Sequence, residues 1–201
     1  MIAAIVPAAG LSTRMGGLRP KPLLPWQGHT VIEEIVTTLE AAGVAPIVVV
    51  TGFGREALEE TLAGHDVRCV VNPAYGNGQM LGSVQAGLQA LPATSRGALL
   101  ALADQPQMEI ETVRLVLQVF RASDCQALVV PSYRMRRGHP VALPRRLWPE
   151  VLALPEGDSL RTVIRRHAGT IQYVTVDTPS VLADLDTPAQ YKAARQASEH
   201  A

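Results

Sequence analysis

Apolar runs of strand length alternate with helix-period stretches almost from one end of the chain to the other. Residues 2–7 are continuously apolar, and 46–51 repeat the pattern more strongly with Ile47, Val48, Val49 and Val50. Further runs of this kind lie at 67–71, 98–103, 127–130, 141–143 and 171–176. A continuous rather than alternating run marks a strand covered on both faces, as in a parallel sheet. Between the runs, residues 31–42, 55–63, 80–91, 109–121 and 188–198 carry helical patterns, with shorter pieces at 144–154 and 159–167. Thr30 and Glu33 have the capping-box spacing that opens the first of these helices, and Gly43 stands where it closes. The alternation predicts one layered α/β domain over residues 1–201, with a parallel sheet and right-handed crossovers.

Two connections are too long to be simple joins. The first strand is followed by roughly twenty residues, 8–28, and the third by 72–79, rich in Asn and Gly; loops of such length in compact domains are usually functional. Both leave strands at the carboxyl edge, where open α/β sheets bind ligands. The first loop reads Ala8-Ala9-Gly10-Leu11-Ser12-Thr13-Arg14-Met15-Gly16-Gly17, then Lys21-Pro22-Leu23-Leu24-Pro25-Trp26. Small residues after a buried strand let backbone N–H groups approach an anion closely. Arg14 adds a bidentate donor and Lys21 a point charge, the pair a polyphosphate calls for. No G-x-G-x-x-G is present, and Lys21 precedes Pro rather than Ser or Thr, so neither the dinucleotide fingerprint nor the P-loop fits. The competing reading is an irregular surface loop with two solvated cations.

Carboxylates stand at two further strand ends. Asp104 ends an apolar run in Ala101-Leu102-Ala103-Asp104-Gln105-Pro106, and Asp184 and Asp186 directly precede the last helix. Converging on one edge, they could hold Mg²⁺, which takes a few carboxylates together with substrate phosphate. Singly, each has a plainer reading: Asp184 or Asp186 as a helix cap, Asp104 as a turn former. Their occurrence together with a phosphate-type loop favours the metal. Gly138-His139-Pro140 follows Arg134, Arg136 and Arg137. That stretch reads either as a pocket for an anionic second substrate or as a basic exposed turn. His65, His167 and His200 have no metal-ligand spacing, and Ser83 has no His–acid partner for a hydrolase triad.

Composition narrows the class. Of 201 residues, 47% are apolar and 18% charged, which belongs to globular proteins rather than disordered chains. Eighteen basic residues balance eighteen acidic ones, so no global field draws the chain to nucleic acid or anionic lipid. Only Lys21 and Lys192 among the basic residues are lysines, and one of them sits in the Gly-rich loop. Cys69 and Cys125 make no disulfide framework, the apolar start has no basic leader, and no run is long enough to span a membrane, so a reduced, cytoplasmic setting is expected.

Taken in order, these motifs resemble the nucleotidyltransferases of molybdenum cofactor maturation, particularly the molybdenum cofactor cytidylyltransferases. The resemblance covers nearly the whole chain. It rests on the 8–16 loop, Lys21-Pro22-Leu23-Leu24, Val50-Thr51-Gly52, Asn72-Pro73, the 78–83 loop, Asp104-Gln105-Pro106, Gly138-His139-Pro140 and Asp184-Leu185-Asp186-Thr187-Pro188. It implies a three-layer α/β/α fold of the Rossmann-like nucleotide-diphospho-sugar transferase type, with a mostly parallel sheet. It implies that Ala8, Ala9, Gly10, Leu11, Ser12, Arg14 and Lys21 wrap the nucleotide triphosphate, and that Thr51, Gly52, Asn72, Gly78 and Ser83 line base and sugar. Asp104 and Asp186, with Asp184 as the alternative, would hold Mg²⁺. Arg14, Lys21 and Asp104 would act in catalysis, and Arg137, Gly138, His139 and Pro140 would meet the acceptor.

Ala8-Ala9-Gly10 is similar to the cytidylyl type, where guanylyl enzymes more often carry Ala-Gly-Gly, and Pro7 makes the start similar to the cytidylyltransferases of isoprenoid precursor synthesis. The implied substrates are CTP and molybdopterin, with a client molybdoenzyme or its maturation chaperone downstream, and neither nucleic acid nor membrane as partner. GTP as donor, a sugar or alcohol phosphate as acceptor, and a non-catalytic cofactor carrier are the alternatives.

Overall fold

The computed structural model describes residues 1–13, 20–77 and 79–198. Arg14, Met15, Gly16, Gly17 and Gly78, on which parts of the expected phosphate loop and sugar site fall, lie outside the described residues. The chain opens with β1 (Ile2–Pro7) and then, beyond the first long loop, a small antiparallel pair of β2 (Pro25–Trp26) and β3 (His29–Thr30). Helix α1 (Val31–Ala41), strand β4 (Ile47–Thr51), helix α2 (Arg55–Thr61) and strand β5 (Val67–Val71) follow. Next come α3 (Met80–Ala90), β6 (Gly97–Leu100), α4 (Ile110–Ala122) and β7 (Leu128–Tyr133). A hairpin to β8 (Arg136–Arg137) leads into β9 (Val141–Pro144), α5 (Trp148–Leu152), α6 (Leu160–Arg166), β10 (Ile171–Thr175) and α7 (Pro188–Ser198).

The main sheet has the order β10-β7-β9-β6-β1-β4-β5, with β8 attached to β7. It is mostly parallel. β9 runs antiparallel to both β6 and β7, and the cause is connection length: residues 134–140 are too few for a crossover, so the chain returns through a hairpin. The apolar runs divide by alternation between two layers. Ala4 and Val6 of β1 pack toward α1 and α4, while Ala3 and Ile5 pack toward α3. A three-layer α/β/α arrangement around a mostly parallel sheet results.

Local chemistry sets the elements as the sequence suggests. Thr30 caps α1 by accepting from the Glu33 backbone N–H, and the Glu33 carboxylate accepts from the Thr30 N–H in return. Gly43, with φ of +75°, turns the chain out of α1 into β4. Gly87 lets α3 lie directly on the sheet, because a Cβ there would come within 2.5 Å of the Ile5 side chain. From β1 the chain winds to one side through β4 and β5, then α3 carries it back to β6 on the other side of β1. The order reverses between β1 and β6, and a crevice opens beyond their carboxyl ends.

Candidate functional site

A cavity of about 400 Å³ occupies that crevice, within the size range of small-molecule sites. The loop 8–13 and residues 102–104 form two walls, and Tyr75 of the second long loop with Gln79, Met80 and Ser83 at the start of α3 forms a third. Ala8, Ala9, Gly10, Leu11, Ser12, Lys21, Ser83, Asp104 and Asp186 therefore share one cavity. The start of α3 borders the cavity, and the first turn of a helix is a ready environment for an anion.

Lys21 closes the cavity's charged end. Its backbone N–H donates to the Ser12 hydroxyl at 2.7 Å, with Ser12 held in the left-handed region at φ of 52°, so the loop doubles back to deliver the lysine. The ammonium then donates to Asp104 Oδ2 and to Asp186 Oδ1, each at 3.0 Å. Burial works to lower the lysine's pKa, but attraction by Asp104 and the hydrogen bonds to both carboxylates outweigh it and leave the pKa raised. Lys21 is therefore charged at neutral pH, as its partners require.

The two aspartates before α7 have separate surroundings. Thr187, not either aspartate, caps the helix: its hydroxyl accepts from the Gln190 N–H, and the Gln190 side chain reaches back to the Asp186 N–H and the Thr187 hydroxyl. Asp186 thus faces Lys21. Asp184 turns instead to Gln105, whose amide donates to its Oδ1 at 2.6 Å. Burial raises the Asp184 pKa, with further upward pushes from Asp104 and Asp186 against the Gln105 bond. Among the described residues no three His, Cys, Asp or Glu side chains converge as a metal group. A cation at this edge would thus meet the Asp104–Asp186 pair and take its remaining ligands elsewhere.

Thr51, Gly52 and Asn72 stand behind the cavity rather than in its lining. Thr51 and Asn72 are buried. The Asn72 amide donates to the Ser83 hydroxyl at 3.0 Å and its carbonyl accepts from the Ala74 N–H, which anchors the loop to α3. A Cβ on Gly52 would lie 2.6 Å from Tyr75 Cβ and 2.8 Å from Ala9 Cβ, so Gly52 lets two cavity walls meet. Gln79 and Met80 fall within the 78–83 stretch that the sequence singled out, and both line the cavity; Tyr75 was not singled out, and its place on the long loop after β5 was the available signal.

The basic stretch separates into two parts. Arg134 and Met135, both at positive φ, form the β7–β8 turn, and Arg137 stacks on Tyr173 of β10, 5.5 Å from the ring centre, away from the cavity lining. His139 is also outside the cavity lining, though near enough to Asp104 to feel its charge. Its ring Nδ1 is 3.4 Å from the Leu100 carbonyl, and burial lowers its pKa despite that bond and the attraction of Asp104, so the ring is neutral at pH 7. Gly138 packs against Val181, where a Cβ would meet the carbonyl at 2.4 Å, and Pro140 is buried behind it. No helix among the described residues is long and apolar enough to cross a membrane.

Comparison with known proteins agrees with this geometry. The chain is 29% identical over 194 residues to a nicotine blue oxidoreductase of Paenarthrobacter nicotinovorans, covering 94% of each. A nucleotidyl transferase of Methanothermobacter thermautotroptrophicus superposes with a TM-score of 0.82 at 28% identity, covering 100% of this chain and 98% of the other. Rv0371c of Mycobacterium tuberculosis H37Rv, solved as a complex with manganese, superposes with a TM-score of 0.75 at 26% identity over 97% of this chain and 98% of its own. Residues 4–171 match the MobA-like NTP transferase domain. The chain belongs to that family, and it is a nucleotidyltransferase.

Proposed function

We propose that this chain, acting as one domain in the cytoplasm, transfers CMP from CTP to the terminal phosphate of a molybdopterin-type acceptor and releases pyrophosphate. The observation that carries the reading is the ammonium of Lys21 set between Asp104 and Asp186 at the charged end of the 400 Å³ cavity. Two carboxylates that already share one cation form a hard oxygen donor set of the kind Mg²⁺ takes, with the rest of its shell from phosphate and water. Bound there, Mg²⁺ would supply charge neutralisation on the phosphates. The manganese in Rv0371c supports a divalent ion on this fold.

The chain's own groups do the rest. The loop 8–13 and the first turn of α3 present N–H donors to the triphosphate, and Lys21 neutralises the charge that grows on the departing pyrophosphate. An oxygen of the acceptor phosphate attacks the α-phosphorus in line, and the bond to the β-phosphate oxygen breaks. The electron pair leaves with pyrophosphate. An acceptor phosphate is already ionised at pH 7, so no general base is required, and the neutral His139 is free to orient the acceptor by hydrogen bonding. Positioning and charge neutralisation account for the chemistry.

Ala9 supports CTP. It lines the cavity with its methyl group close to Gly52, and a side chain there in place of glycine would favour the smaller pyrimidine. Pyrophosphate release with each of the four NTPs and molybdopterin tests the proposal: CTP should lead by about 10- to 200-fold, the span that pocket shape confers. Preference for GTP, or for a sugar phosphate acceptor, would leave nucleotidyl transfer and reject this assignment. The full-length likeness to a protein named as an oxidoreductase gives a second reading, redox chemistry on the same fold, which gains if no NTP yields pyrophosphate with any acceptor.

A further inference from the structure

Gln105 is almost wholly buried, next to Asp104, yet nothing in the transfer chemistry uses it. Its amide nitrogen donates to Asp184 Oδ1 at 2.6 Å and, more distantly, to the Val181 carbonyl at 3.5 Å. One residue away, the Leu185 N–H donates to the Asp104 carbonyl at 2.9 Å. These contacts join the turn after β6 to the segment 181–186, which is otherwise remote in the chain. Leu185 is buried in the core below them, so the segment is pinned from beneath and from the side. Asp186 follows directly, one residue beyond the backbone bond to Asp104.

We propose that Gln105 is a positioning residue for the cation site: by clasping Asp184 it fixes the segment that holds Asp186 opposite Asp104. The inference rests on the reading of Asp104 and Asp186 as the divalent-metal pair. It assigns Asp184 the task of an anchor, not a ligand. A carboxylate accepting from an amide makes a charge-assisted hydrogen bond, stronger than a neutral one and short, as observed. Without it, Asp184 would be half-buried with a lost partner, and the segment would relax.

The test is manganese binding to the nucleotide-free protein, followed by calorimetry, with circular dichroism as the check on folding. Gln105→Met keeps length and apolar packing and removes the donor; manganese affinity should fall roughly ten-fold, the scale of one charged hydrogen bond. The exchange Gln105→Glu with Asp184→Asn reverses the polarity of the bond and keeps the total charge, so affinity should return to near wild type. If Asp184 were a ligand, the exchange would not rescue, and the proposal would be overturned. An unchanged affinity in Gln105→Met would overturn it as well. Asp104→Asn and Asp186→Asn report on the underlying reading: if both bind manganese as wild type does, the metal pair is wrong, whatever Gln105 does.

Discussion

Replacing Lys21 by Met should lower stability and turnover while it tightens manganese binding. At 3.0 Å each ion pair of Lys21 is worth about 5 kcal/mol of gross attraction at an effective dielectric near 20. Most of that is offset by desolvation of an ammonium whose side chain is only 14% exposed, and by solvent screening of Asp186, 38% exposed. The net loss of stability should be about 1–2 kcal/mol, or roughly 2–8 °C in Tm for a chain of this size. Turnover should fall about 10²- to 10³-fold, because the charge on the leaving pyrophosphate loses its donor. Manganese binding to the free protein should tighten, since a metal no longer competes with the ammonium for Asp104 and Asp186. The raised Lys21 pKa fixes the pH signature. A raised folded-state pKa means the contribution is complete below the ordinary lysine value of 10.5 and fades as pH climbs beyond it. The stability gap between wild type and Lys21→Met should therefore be constant near neutrality and close in strong alkali. Steady-state kinetics, calorimetry and thermal melts across pH measure all three. Turnover within about three-fold of wild type in a folded variant would refute the phosphate role, and weaker manganese binding would refute the shared-cation argument.

Gly52→Ala should destabilise the protein by about 1–3 kcal/mol through overpacking against Tyr75 and Ala9; it should also raise the KM for nucleotide, and an unchanged KM would separate Gly52 from the cavity. Thr187→Ala removes the cap of α7 and should cost about 1 kcal/mol by thermal melt, with a larger loss of activity than a cap elsewhere because Asp186 adjoins it. Changing Arg134-Met135 to Asn-Gly suits the two positive φ angles of the β7–β8 turn and should stabilise by about 1 kcal/mol or more, with turnover unchanged; a drop in Tm would show that the arginine's stacking on Tyr133 outweighs the strain.

Much of the fold was legible because its signals are local. The apolar runs of β1 and β4 and the Thr30–Glu33 box each act within a few residues, and each appears where the pattern put it. The direction of β9 was not written in its apolar residues, which pack alike in either sense; only the short connection after β7 encodes the reversal. Strand β6 also ends at Leu100, short of the apolar run to Ala103, because the chain turns there to present Asp104. Within the site, the loop 8–13, Lys21, Asp104 and Asp186 could be nominated from residue type. The separate surroundings of Asp184 and Asp186 could not, since they depend on Gln105 and Thr187 claiming their own partners. Nor could the stacking of Arg137 on Tyr173, which needs β7 and β10 side by side.

The ion pairs of Lys21 span 83 residues to Asp104 and 165 to Asp186, and that separation has a consequence for how the protein fails. Contacts so remote in the chain close late in folding, after the strands that carry them have paired. Asp186 is held by the segment between β10 and α7, beyond the residue 171 where the family match ends, and α7 has no fully buried residue. Such an outer element opens at lower free energy than the central strands. Heat or mild denaturant should therefore detach α7 and disperse the cation pair while β1, β4 and β6 remain protected against hydrogen exchange. Catalysis would then be lost ahead of the fold, and inactivation would reverse on cooling without passage through the unfolded chain.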